Sequence, residues 1–212
     1  MLFADVIVKN TIKNERRIIM TPLPNIGRPA ASALKTIGIT SLKQLTGVDK
    51  ENLSRVHGIG PKAIDILEKE LEGKGLAFKK HEPLPFTPGF GVFGSLGCNN
   101  APKKEVLRDF AISFVQAYEK GLAAACNEDV GFHEVPDRFL EGTGALYQHA
   151  EGKKYNAGSL DLKSIITHGK EGSVYGSLVT TRGERIELAW FIHFKSHKKD
   201  ALIRSITFFE VT

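Results

Sequence analysis

The chain reads as two domains: a small all-helical one, then an α+β domain built on an antiparallel sheet. Three observations predict this. Residues 24–78 carry short apolar-periodic runs punctuated by Gly and Pro. Residues 160–211 carry four alternating apolar/polar runs separated by turn residues. Between these regions, residues 79–102 hold Pro83, Pro85, Pro88 and Pro102 with Gly89, Gly91, Gly94 and Gly97. The expected organisation is an N-terminal arm over 1–21, a helical domain over 22–78, a Pro/Gly/Phe linker over 79–102 and an α+β domain over 103–212.

In the helical domain, Pro29 suits a helix start, because its ring fixes φ and its missing N–H would be unpaired there. Ala30, Ala33, Leu34 and Ile37 follow at helical spacing, and Gly38 ends the run. Ser41 is placed to cap a short helix with Leu42 and Leu45, and Asp49 another with Leu53 and Val56. Gly58-Ile59-Gly60 then turns the chain into a last helix that opens at Pro61 and carries Ile64, Leu67 and Leu71. Such a turn exposes N–H groups at a positive helix end, with Lys62 beside it, which suits a phosphate.

The linker composition argues against regular structure. Phe86, Phe90 and Phe93 recur within it, and they predict docking on a domain surface. From Lys103, Leu107, Phe110, Ala111, Phe114, Val115, Tyr118 and Leu122 predict one long amphipathic helix, with irregular or helical structure through Asn156. Strands follow over 160–168, 173–181, 185–195 and 201–211, and their short connections imply antiparallel pairing. Along 185–195, Ile186, Leu188, Trp190, Ile192 and Phe194 share one fully apolar face.

Bulk properties exclude several classes. The 212 residues are 42% hydrophobic and 25% charged, as in a globular protein. Cys98 and Cys126 lack CxxC partners, which argues against a disulfide framework or a cysteine zinc site and for a reducing, cytoplasmic setting. His193 and His197 have no evident third ligand, so no metal or other cofactor is implied. The apolar run Met1–Val8 is short and broken by Asp5, so neither a signal peptide nor a membrane span is expected. The net charge is +5, yet residues 1–81 hold 14 Lys/Arg against 8 Asp/Glu, and the remainder 15 against 16. A polyanion partner for the first part alone follows.

Asn25-Ile26-Gly27-Arg28-Pro29, Ala33–Ile39, Leu42, Leu45, Leu53 and Gly58-Ile59-Gly60-Pro61-Lys62 together resemble the helix-hairpin-helix family. The likeness is nearest to the DNA-binding C-terminal domain of the RNA polymerase alpha subunit. The resemblance implies backbone contact with duplex DNA through Gly27, Arg28, Gly58, Gly60 and Lys62, without sequence reading. Pro29 stands where that domain carries its principal DNA-contacting arginine, and Ser32 where it has an asparagine.

Residues 103–212 resemble the NTF2-like superfamily, including SnoaL-like members. The resemblance is carried by Asp109–Tyr118, Glu128–Phe132, Glu141-Gly142, Ile165–Gly176, Gly183, Trp190–Phe194 and Ile203–Phe209. It implies a cone in which a bent antiparallel sheet wraps helices around a pocket. Candidate pocket residues are Tyr118, His133, Asp137 and Trp190, with Glu134, Tyr147 and His168 as further ionisable groups. Phe191, His193, Phe209 and Val211 would lie on the outer sheet surface, which many relatives use to form homodimers.

Three readings follow. The main one is a non-sequence-specific DNA-binding protein whose second domain dimerises or binds a small ligand. The alternatives are a SnoaL-like small-molecule enzyme and a protein-interaction adaptor.

Overall fold

A computed structural model of the chain describes residues 21–80, 86–94 and 102–212. The expected arm (but for Thr21), Cys98 and parts of the expected linker lie outside the described residues. The chain divides into two compact units, Met1–Glu82 and Pro83–Thr212.

In the first unit the described helices are α1 (Arg28–Thr36), α2 (Leu42–Leu45), α3 (Lys50–Ser54) and α4 (Pro61–Glu72). Their starts follow local chemistry. Gln44 Oε1 accepts the Ser41 and Thr40 N–H groups at 3.0 and 2.9 Å, holding the entry to α2. Asp49 Oδ1 accepts from Glu51 N–H at 2.7 Å and Asn52 N–H at 3.3 Å at the start of α3. Gly38 leaves α1 at φ +82°, a conformation that suits glycine. Leu34, Leu42, Leu45, Leu53, Leu67 and Leu71 are fully buried and draw the four short helices around one core.

The second unit contains β1 (Gly91–Gly94), α5 (Pro102–Gln116), α6 (Glu119–Ala125), β2 (Cys126–Glu134), β3 (Arg138–Glu141), α7 (Thr143–Lys153), β4 (Ala157–His168), β5 (Glu171–Thr180), β6 (Arg185–Phe194) and β7 (Ile203–Val211). One seven-stranded sheet runs in the order β1-β4-β5-β6-β7-β2-β3. Register irregularities in the β4/β5, β6/β7 and β2/β7 pairings bend it.

Four expectations are corrected here. The sheet is mixed, because β1 runs parallel to β4 and β2 parallel to β7. The linker is partly regular: Gly91–Gly94 forms the edge strand β1, and Phe90 is buried in the core. A Cβ on Gly94 would stand 2.3 Å from the Leu162 carbonyl oxygen, so glycine there permits a close backbone approach. The long helix is two helices, broken at Ala117, where φ is +52°. Residues 126–141, expected to be irregular or helical, form a hairpin.

The inner sheet face packs on α5. Trp190 stacks on Phe208 with ring centroids 5.3 Å apart, and Phe110 and Phe114 meet it edge-on at 6.3 and 5.9 Å. Phe114 also lies 5.7 Å from Phe132. All five rings are fully buried, so this part of the expected pocket is packed solid.

Gly176, midway along β5, offers a direct test of the β4/β5 approach. Its added Cβ would lie 2.8 Å from the Asp161 carbonyl oxygen. Gly176→Ala should lower unfolding free energy by about 1–3 kcal/mol in chemical denaturation.

Candidate functional site

In the helical unit the sequence-derived contact residues are exposed and adjacent. Gly27 (φ +85°) precedes α1, and Gly58 (φ +92°) opens the turn before α4. A Cβ on Gly58 would touch Ala33 Cβ and the Pro29 carbonyl oxygen at 3.4 Å, so the second turn rests on the first turn of α1. Gly60 is the N-cap of α4, its carbonyl oxygen accepting from Ala63 and Ile64 at 3.0 and 3.2 Å. The Lys62 N–H belongs to the first helical turn, where no intrahelical acceptor exists. Arg28 and Lys62 enter no ion pair among the described residues, whereas Lys50, Arg55 and Lys74 pair with Glu68, Glu51 and Glu70. Two uncommitted cations therefore stand beside two helix starts.

In the α+β unit the candidate pocket residues do not converge. Trp190 is sealed in the aromatic core. His133 lies on the outer face, stacked on Phe139 at 4.1 Å, with its Nε2 3.0 Å from the Pro136 carbonyl oxygen. Asp137 lines an open depression formed by residues 134–139. Tyr118 lines a separate recess of about 280 Å³ beside α5 and α6, with Phe86, Asp109, Ser113 and Lys120 among its neighbours. Tyr147 donates to Glu151 at 3.0 Å, and His168 ends β4.

A polar cluster missed by sequence reasoning closes one end of the inner face. Register places Glu134 beside Phe208, and Glu210 beside Leu188. Lys153, from the end of α7, bridges both acids, reaching Glu210 at 3.2 Å and pairing with Glu134. Tyr155 donates to Glu210 at 2.5 Å, and burial together with that hydrogen bond pushes its phenol well up. Arg138 Nε lies 3.4 Å from Glu134, and His149 Nε2 lies 3.3 Å from it. Burial pushes the His149 imidazole down, against the pull of Glu134. Glu134 and Glu210 each meet Lys153, so the cluster is an ion-paired strut, while the buried His149 Nε2 makes no hydrogen bond among the described residues. Alternation along β2 and β7 was the one sequence signal that could have placed both acids on the inner side.

The outer sheet face is open and mixes exposed apolar side chains with polar ones. One row across six strands runs Ile166, Ser173, Phe191, Thr207, His133 and Phe139. Phe139, Ile166 and Phe191 are 71%, 59% and 56% exposed, and Val211 is 64% exposed. Phe191 and Phe209 meet edge-to-face at 5.8 Å. At the Val211 end, Lys163 pairs with Glu187 at 3.1 Å, and Arg185 lies 3.7 Å from the same carboxylate.

Among the described residues no group of three His, Cys, Asp or Glu side chains is arranged to hold a metal ion, and no helix is long and apolar enough to cross a membrane. Burial pushes the Cys126 thiol up to about 12.

No family model and no curated protein matches the chain. Solved structures similar to about half of it include a putative ketosteroid isomerase from Kribbella flavida (16% identity, 52% of this chain and 78% of that one, TM-score 0.43). Others are an NTF-2-like protein from Burkholderia xenovorans (11%, 52% and 84%, 0.44) and a cystatin-like-fold protein from Methylobium petroleophilum (13%, 54% and 78%, 0.45). At these identities and scores, none of them transfers a family or an activity to the chain.

Two outcomes follow from the buried groups. Because His149 has a lowered pKa in the fold, the unfolded chain binds the extra proton first, and stability falls as pH drops below the ordinary imidazole range. His149→Phe should flatten the stability difference between about pH 7.5 and about pH 5, as read by denaturation. Iodoacetamide at about pH 8 should leave the Cys126 peptide unmodified in the folded protein and alkylate it in denaturant, as read by mass spectrometry.

Proposed function

We propose that the chain is a dimerising protein that touches the phosphate backbone of duplex DNA. The α+β unit pairs two copies through its outer sheet face, and each copy contributes one helical unit to the polyanion. The observation that carries the pairing is the set of exposed apolar side chains on the outer face, Phe139, Ile166, Phe191, Phe209 and Val211. Apolar exposure of this extent on an open sheet is a docking surface. A second copy suits it as occupant, because Lys163 and Arg185 stand with Asp161 and Glu187 at its polar end. A two-fold axis then brings both charge signs to each side of the interface.

Backbone contact is supported by the adjoining starts of α1 and α4, with Arg28 and Lys62 uncommitted beside them. Gly27 and Gly60 leave open space for a phosphate to approach, Gly58 lets the second turn rest on α1, and Lys62 adds a point charge. Such contacts position without reading sequence. Pairing would raise avidity without any new contact. Small-ligand binding by the α+β unit is a second reading, favoured by the recess at Asp109 and Tyr118.

Sedimentation should give a dimer for the full chain, and Phe191→Glu should give a folded monomer. A wild-type monomer at high micromolar concentration would refute the pairing. Duplex binding should weaken steeply with salt, and Lys62→Ala should weaken it across all sequences and lower the salt slope by about one unit.

A further inference from the structure

We infer that the recess between α5, α6 and Phe86 binds an organic ammonium ion with an aromatic or apolar body. The inference rests on the ligand-binding reading of the α+β unit. Three features give the recess its character. Phe86 and Tyr118 lie with ring centroids 4.6 Å apart at a tilt of 37° and form an aromatic wall. Asp109 lines the same space, and its Oδ1 accepts from Arg108 Nε at 2.8 Å. Its Oδ2 has no hydrogen-bond partner among the described residues. Ser113, fully buried at the inner wall, spends its hydroxyl proton on the Asp109 carbonyl oxygen at 2.6 Å and so offers the recess no donor.

The shape is built rather than incidental. A Cβ on Gly121 would stand 2.1 Å from Ser113 Oγ and 2.8 Å from Tyr118 Cδ1, so only glycine lets α6 close on α5 here. The volume, about 280 Å³, suits a ligand of one ring. Aromatic faces and a carboxylate both favour a cation, and the two together favour one with an apolar body. Burial already pushes the Asp109 carboxyl up, with nearby Glu105 adding to it and Arg108 opposing it. A bound ammonium would relieve that cost. Lys120, also on the lining, is exposed, whereas Asp109 is only part-exposed.

The test titrates the full-length protein with benzylammonium, benzyl alcohol and benzoate and follows backbone amide shifts by NMR. Benzylammonium should shift the amides around Asp109, Tyr118 and Gly121 saturably, with a dissociation constant of about 1–10 mM. Benzyl alcohol should bind at least about fivefold more weakly, and benzoate more weakly still. Asp109→Asn should cost benzylammonium about tenfold and leave benzyl alcohol unchanged. Ala124→Trp, an exposed position on the recess wall, should block all three probes without touching the carboxylate. Benzoate binding as tightly as benzylammonium would overturn the ligand class and leave ligand binding standing. No saturable shift from any probe would overturn both.

Discussion

The stacking of Trp190 on Phe208 is the interaction on which the α+β unit depends. It joins the middle of β6 to β7, and Phe110 and Phe114 from α5 close over it. Aromatic pairs add about 0.5–1.5 kcal/mol each beyond the area they bury. The indole N–H has no hydrogen-bond partner among the described residues, a burial cost of about 1–3 kcal/mol that the surrounding rings must offset. With that interior occupied by rings, the open surfaces of the unit are peripheral: the outer face and the recess behind α5.

The polar rim at α7 shows how an α+β sheet ends a hydrophobic face without leaving charge stranded. Glu134 and Glu210 point to the inner side next to aromatic neighbours, and Lys153 joins them. Removing one partner from such a cluster exposes the others to an unpaired buried charge, which is why its value lies in geometry more than in net energy. It holds α7 over the end of the sheet and leaves β3 and Phe139 outward.

Much of the fold was legible in residues whose signals are local. Pro29, Gly38, Asp49 and Pro61 mark helix ends by their own backbone chemistry, and the alternation from Ser173 to Val211 marks strands by side-chain period. β2 was missed because Asn127, Glu128 and Asp129 interrupt its apolar positions, and its pairing with β7 shifts register between Cys126 and Gly131. β1 was missed because Gly91 and Gly94 read as loop when they serve close backbone approach to β4. The break at Ala117 carries no sequence signature. Site legibility follows the same line: the exposure of Phe191 and Phe209 could be read from one strand's alternation, whereas the meeting of Glu134, Glu210, Lys153 and His149 depends on register among elements far apart in sequence.

β1 makes the segment after the helical unit part of the sheet it precedes. Phe90 sits in the core, and Gly91–Gly94 cover the outer edge of β4 along four residue pairs. Severing the chain where α5 begins would bare the β4 backbone as an unpaired edge ready to recruit a foreign strand. The physical border of the α+β unit therefore lies upstream of Phe86, within what composition alone presents as spacer. Any length change that detunes the two units has to fall before that point.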